Sequence, residues 1–302
     1  MAAQFVPPDF ATRRRLTMRL KYKLVLPLAL LLSAVMLYPL VYSAWLSLQN
    51  YRLTRLNDVH FVGLDNFKFI ATDPSFINAM KNTLTFVISA VIIELIIGLS
   101  LALLIQKIIK FRGIIRSILL APMFITPIAV GLMFRFLLNS EIGVIPQFLA
   151  KFDILFDWFS PGMALYTIIL IDVWQWTPFM LLMFIAGIES LPKTPFEAAR
   201  VDGAGPWLTF FSITLPMLRP IIVIALIIRA LDAFKVFEYV FAITRGGPGN
   251  ATETIMFYIY QTGFRFFRMG EAAAAAFLLI FVILGLVIAF VKFSRSEGRV
   301  RK

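Results

Sequence analysis

The sequence predicts an all-α, polytopic membrane protein with six transmembrane helices and a folded helix-turn-helix loop on the cytoplasmic side. Three observations carry this expectation. The 302-residue chain is 60% hydrophobic with mean hydropathy +0.85, and only 15% of it is charged, against about 25% in soluble domains. Its apolar residues gather into six stretches long enough for a bilayer core, which takes roughly 20 residues of helix. The Lys and Arg residues between those stretches fall mainly on one side.

The six stretches are Leu24–Leu48, Leu84–Ile105, Ser117–Leu138, Ala164–Ile188, Leu218–Ile243 and Ala272–Phe293. Each must be helical, because unpaired backbone groups are too costly in lipid. Pro27, Pro39, Pro122, Pro127 and Pro178 lie in or beside them and predict local kinks. The first stretch follows a basic tail, residues 1–23, that carries Arg13, Arg14, Arg15, Arg19, Lys21 and Lys23. Its apolar run is longer than the roughly 7–15 residues of a signal-peptide core and no A-x-A site follows, so it reads as a retained helix. The six-helix domain then occupies residues 24–293, with a short C-terminal tail at 294–302.

Orientation follows from the basic residues. The N-terminal tail, the segment Gln106–Arg116, the loop at about 189–217 with its flank and the C-terminal tail together carry eighteen Lys and Arg, whereas the opposite loops carry eight. The positive-inside rule places both termini and the 189–217 loop in the cytoplasm, in a multi-pass protein of the inner (plasma) membrane. On the outside, Asn50–Lys81 reads as a small folded cap and Ser140–Met163 as short interfacial helices. Gly246-Gly247-Pro248-Gly249-Asn250 is a turn signal.

The cytoplasmic loop reads as two short helices. Thr194 is placed to cap the first, Pro195 suits its first position, and Glu197 completes a capping box with Thr194. Asp202-Gly203 ends it, since glycine tolerates the left-handed conformation of a helix stop. Gly205-Pro206 restarts a helix from Trp207 to about Leu215.

Several chemistries are excluded. With no Cys and one His, His60, there is no disulfide framework and no thiolate or multi-His metal centre. No G-x-x-x-x-G-K-S/T phosphate loop occurs, and no Ser/His/Asp or Cys/His constellation, so neither that route to ATP nor covalent catalysis belongs to this chain. The net charge of +12 lies in blocks beside apolar spans, which points to topology and lipid headgroups rather than nucleic acid.

Ionisable residues inside spans are expensive and mark candidate function. Glu94 lies in the second span, Asp172 in the fourth, and Arg229, Asp232, Lys235 and Glu238 in the fifth. The last four alternate in sign at i,i+3 spacing, so they read either as a structural ladder along one helix or as part of a wet pathway. Phe234, Phe237, Tyr239, Trp174 and Trp176 beside these charges suit sugar faces, although aromatics in spans also serve packing. The candidate pathway set is Asp172, Trp174, Arg229, Asp232, Phe234 and Lys235.

Glu197-Ala198-Ala199, three residues, Gly203, nine residues and Ile213-Thr214-Leu215-Pro216 form a spaced pattern over twenty positions. It resembles the signature loop of permease subunits in ATP-binding-cassette (ABC) importers, in the carbohydrate branch related to the maltose and glycerol-phosphate permeases. The run Arg229 to Glu238 with the glycine-rich turn and Thr252-Glu253-Thr254, and Gly63-Leu64-Asp65-Asn66-Phe67, resemble the same family, so the likeness covers about Leu24 to Phe293. The resemblance implies a type I ABC importer permease fold whose first short loop helix is a coupling helix seated on an ATPase subunit. By matching position the contact set is Glu197, Ala198, Ala199 and Gly203, with Arg200 and Asp202 as polar neighbours.

It further implies partners: a second homologous permease, two ATPase subunits that bind ATP and magnesium, and an external solute-binding protein that delivers a carbohydrate. No cofactor is expected in this chain. Two rivals stand beside this reading. One is an ion-coupled secondary transporter using the intramembrane carboxylates. The other is a membrane anchor without a transport role.

Overall fold

A computed structural model describes residues 10–108 and 110–298. The first nine residues of the basic tail, and Arg299, Arg301 and Lys302, lie outside them. Helix α1 (Phe10–Ser47) runs without interruption from the region read as a tail into the first span. It packs mainly on α12 (Met269–Gly298) and leaves a row of exposed leucines, among them Leu24, Leu28 and Leu31. A short turn at Leu56–Asp58 and α2 (Asp65–Thr72) fold the segment between the first two spans into a small cap, closed by a bridge between Gln49 and Phe61.

Helix α3 (Pro74–Lys107) starts ten residues before the apolar run of the second span. Asp73 is the reason: its Oδ1 accepts from Ser75 N at 2.9 Å, and Pro74 fixes φ at the first position. Helix α7 (Ala164–Glu189) is the fourth span, and α3 and α7 form the most extensive helix pair in the chain. Gly98 allows the approach, since a Cβ there would sit 2.6 Å from Met180 Cβ.

Two spans differ from their expected form. The third is not one rod. Helix α4 (Arg112–Leu120), a tight turn at Ala121–Phe124 and α5 (Pro127–Leu137) are bent by 94°. Pro127 removes a donor, and Ile125 takes an extended conformation (φ −86°, ψ 139°), so the helix ladder breaks there. With this pair counted as one span, the described residues hold six candidate spans; five are single helices.

The fifth span begins earlier and ends sooner than its hydropathy suggests. The loop at about 189–217 has one separate helix, α8 (Thr194–Val201). The second, α9 (Pro206–Thr209), continues through a π-helical turn at Phe210–Thr214 into α10 (Leu215–Ala233). The chain leaves the helix at Phe234 and resumes it as a π-helical segment at Val240–Thr244. Lys235 and Glu238 therefore lie beyond the helix that carries Arg229 and Asp232. Helices α6 (Val144–Ala150) and α11 (Ile255–Tyr260), in the two remaining loops, complete the helices of the described residues.

Candidate functional site

Where α3, α7 and α10 meet, three buried ionisable side chains form one knot. Arg229 on α10 is 2% exposed, Glu94 on α3 is 0% and Asp172 on α7 is 2%. The Arg229 guanidinium grips Glu94 with both faces of its fork, Nε to Oε2 at 2.8 Å and Nη2 to Oε1 at 2.9 Å. Its Nη2 also donates to Asp172 Oδ2. The Trp176 ring lies under the guanidinium, 5.4 Å from its centre. A bidentate Arg–carboxylate pair is strong and directional, so this contact fixes the register of three helices as well as their charge balance.

Of the two readings, a ladder along one helix or a wet pathway, the ladder gives way to this cross-helix arrangement. Asp232 reaches Arg229 Nη1 only at 3.4 Å, and its side chain is half exposed. Lys235 is exposed beyond the end of α10. The candidate pathway residues therefore divide. Asp172 and Arg229 are interior, Asp232, Lys235 and Trp174 are exposed, and Phe234 is buried beside an apolar groove between α3, α10 and α12. Trp174 stands edge-on to Phe134, with ring centres 5.3 Å apart.

A second layer joins this knot to the broken third span. Gln175 Nε2 donates to Ile125 O at 2.6 Å, and Tyr239 Oη donates to Gln175 Oε1 at 2.5 Å. The amide supplies a donor to a carbonyl that the bend removes from the helix ladder, which an apolar setting requires. Arg135 Nη1 donates to Ala242 O at 3.0 Å and ties α5 to the π-helical segment in the same way. Gln175 and Tyr239 were outside the candidate set, and so was Glu94, although its place in an apolar span marked it.

In the loop at about 189–217, α8 offers an exposed surface. Glu197, Ala198, Arg200, Asp202 and Gly203 are exposed, and Ala199 is buried against the rest of the loop. The expected capping box is absent. Lys193 already has helical angles (φ −75°, ψ −30°), so Thr194 is the first helical residue rather than the cap, and no side chain caps the start. The stop is as expected: Gly203 has φ +72°, and Ala204 N donates back to Ala199 O at 2.9 Å. Val201, Trp207, Leu208 and Phe211 add large exposed apolar side chains to the same loop. Such a patch on a polar projection is the mark of a protein contact.

The loop is anchored just before α8. Arg112 and Arg116 of α4 both donate to Glu189 Oε1, at 2.8 and 2.6 Å, at the end of α7. The first arm of the broken third span, α4, thus holds the helix from which the loop emerges.

Comparison with known proteins places this arrangement among relatives. The family described as binding-protein-dependent transport system inner membrane component matches residues 94–302. A trehalose/maltose transport system permease protein of Thermococcus litoralis is 32% identical, over 92% of this chain and 94% of that relative. The crystal structure of a bacterial ABC transporter for import of the acidic polysaccharide alginate has a chain with TM-score 0.81 and 26% identity, covering 97% of this chain and all of that one. A structure of the bacterial alginate transporter in complex with an alginate pentasaccharide-bound periplasmic protein gives TM-score 0.80 at 26% identity, over 92% and 94% of the two chains.

Proposed function

The chain belongs to the family of binding-protein-dependent transport system inner membrane components, as a sugar ABC transporter permease, and from that premise we propose how it works. It is the membrane subunit of an importer that pairs with a second permease and with two ATPase subunits, which bind ATP and magnesium. An external solute-binding protein delivers the carbohydrate to its outer face. Support for the last partner comes from the alginate transporter complex with its periplasmic protein. Support for the sugar comes from the trehalose/maltose relative.

The single observation that carries the coupling is the projecting α8 loop, with Glu197, Ala198, Arg200, Asp202 and Gly203 exposed beside Trp207 and Val201. ATP binding draws the two ATPases together and pulls on α8. The pull passes into α7 through Glu189 and its two arginines, and into α10 through the unbroken helical run from Pro206. Because Arg229 locks α3, α7 and α10 to one another, these spans move as one body. The breaks at Ile125 and after Ala233 are the places where the backbone gives. The cavity opens outward when ATP binds and inward after hydrolysis. In this reading Asp172 and Arg229 act by positioning the spans, and Trp174, Asp232 and Lys235 are the exposed groups available to a sugar.

Reconstitution tests the proposal. Proteoliposomes holding the chain with its partner permease and ATPases are expected to import labelled sugar only with ATP and the solute-binding protein present. Uptake driven by a proton or sodium gradient without ATP would favour an ion-coupled carrier instead. Orientation is tested separately: cysteines placed at Asn57 and Asn250 are expected to react with an impermeant maleimide from outside. Reaction only from the cytoplasmic side would reverse the assignment of both termini to the cytoplasm.

A further inference from the structure

The outer face holds a polar cavity of about 340 Å³ between the α2–α3 corner, the loop at Asn250–Glu253, α11 and the start of α12. Its walls are well fixed. Asn78 and Asn82 on α3 donate to Asn250 O at 2.8 and 3.0 Å, and Asn82 donates again to Glu253 O at 3.0 Å. Tyr258 Oη donates to Asp73 Oδ2 at 2.5 Å.

Glu253 lines this cavity and is 6% exposed, yet among the described residues its carboxyl makes no hydrogen bond and no ion pair. The carboxyl opens onto the cavity rather than into the protein, so it is available to a polar ligand that enters there. Burial and the neighbouring Asp73 push its pKa up to about 7. Arg268 lines the same cavity, but it donates to Glu271 at 3.3 Å, which also receives Arg52 at 3.2 Å, and its guanidinium lies 5.8 Å from the centre of the Phe266 ring. The Gln261 side chain lines the same space, and the rings of Phe69 and Phe266 at its walls are about half exposed.

We propose that this cavity is a carbohydrate subsite on the outer face, taking one neutral sugar ring. Glu253 and Asp73 accept from ring hydroxyls, Gln261 both donates and accepts, and an exposed Phe face meets the apolar face of the sugar. The volume is at the small end of ligand pockets, about 300–1,000 Å³, which suits a single ring rather than a chain. Glu253 and Asp73 have no ion-pair partner among the described residues, and Arg268, the cation in the lining, is engaged by Glu271, so a neutral sugar is favoured over an acidic one. The subsite rests on the importer reading above, and it gives the sugar a place to rest between the binding protein and the membrane interior.

The test is saturation-transfer NMR on the assembled importer in nanodiscs, without the solute-binding protein, using D-glucose, D-galactose, D-mannose and D-glucuronate as probes. At least one neutral hexose is expected to give transfer and D-glucuronate none. Glu253→Leu is expected to weaken the hexose by about tenfold or more, the cost of losing a hydrogen bond to a carboxyl. Phe266→Ala, at a half-exposed position, gives a second variant if the first fails to assemble, and it is expected to weaken the same hexose. No transfer in the parent, or transfer unchanged in an assembled variant, would overturn the subsite. Methylammonium displacing the hexose signal would overturn it in favour of a cation site. Binding-protein-dependent uptake by the parent is measured alongside. Its absence counts against the importer reading, whereas normal uptake without hexose transfer counts against the subsite alone.

Discussion

Arg229→Met is expected to destabilise the protein by about 3–5 kcal/mol, because it strands two buried carboxylates with no cation between them. Glu94 and Asp172 are at most 2% exposed, so neither can recover the loss by turning to water. Adding Asp232→Leu is not expected to help, since Asp232 is half exposed and only 3.4 Å from the guanidinium at its closest. Pairing along one helix would have made that double variant nearly neutral. The variant expected to recover most of the loss is Arg229→Met with Glu94→Gln and Asp172→Asn, which removes all three buried charges together. Denaturation midpoints of the purified protein in detergent measure the difference. A parental midpoint for Arg229→Met alone would refute the knot as the element that holds α3, α7 and α10.

The second large effect is expected at the α8 loop. Gly203→Asp places a side chain at φ +72° with open space around it, so its folding cost is backbone strain of about 1–2 kcal/mol and not a clash. Glu197→Lys changes an exposed residue and is expected to cost less than about 0.5 kcal/mol. Both leave the spans inserted. Both are nevertheless expected to lower ATP-driven uptake about tenfold or more, because charge reversal or a misplaced chain at a docking surface costs more than 1.4 kcal/mol. Substrate-stimulated ATP hydrolysis by the partner subunits is expected to fall with uptake. Parental hydrolysis and parental assembly in both variants would remove α8 from the coupling route.

What the sequence makes legible depends on how local the cause is. The fourth span is expected at Ala164–Ile188 and found at Ala164–Glu189, because an unbroken apolar run between polar ends decides it. The stop at Gly203 is equally local. The 94° bend in the third span is only half legible. Pro122 and Pro127 announce a kink, but the donor to the Ile125 carbonyl is Gln175, fifty positions away. The end of the fifth span is also half legible: Asp232, Lys235 and Glu238 lower the hydropathy there, but Phe234, Val236 and Phe237 between them and the apolar run Tyr239–Ile243 carry the pattern on past the break. There the Val236 carbonyl takes a hydrogen bond from Thr254 instead of from the next turn. Thr194 is a suitable cap by type, but the helical angles of Lys193 move the helix start past the point where its hydroxyl would serve. The charges in the spans were legible one by one. Which carboxylate Arg229 would choose was set by the packing of three helices.

That choice bears on how the chain is made. Glu94 and Arg229 are 135 residues apart, so the acid emerges from the ribosome long before the base that neutralises it. At about 5–20 residues per second, the interval is roughly 7–27 s. During that time α3 must stay in the bilayer on its own hydropathy, with a carboxyl whose insertion cost at a helix centre is about 3 kcal/mol. Its leucines and isoleucines offset that cost span by span. Asp172 joins the wait 57 residues before Arg229 arrives. A nascent chain that stops short of Arg229 therefore carries two unmatched acids in its membrane segments.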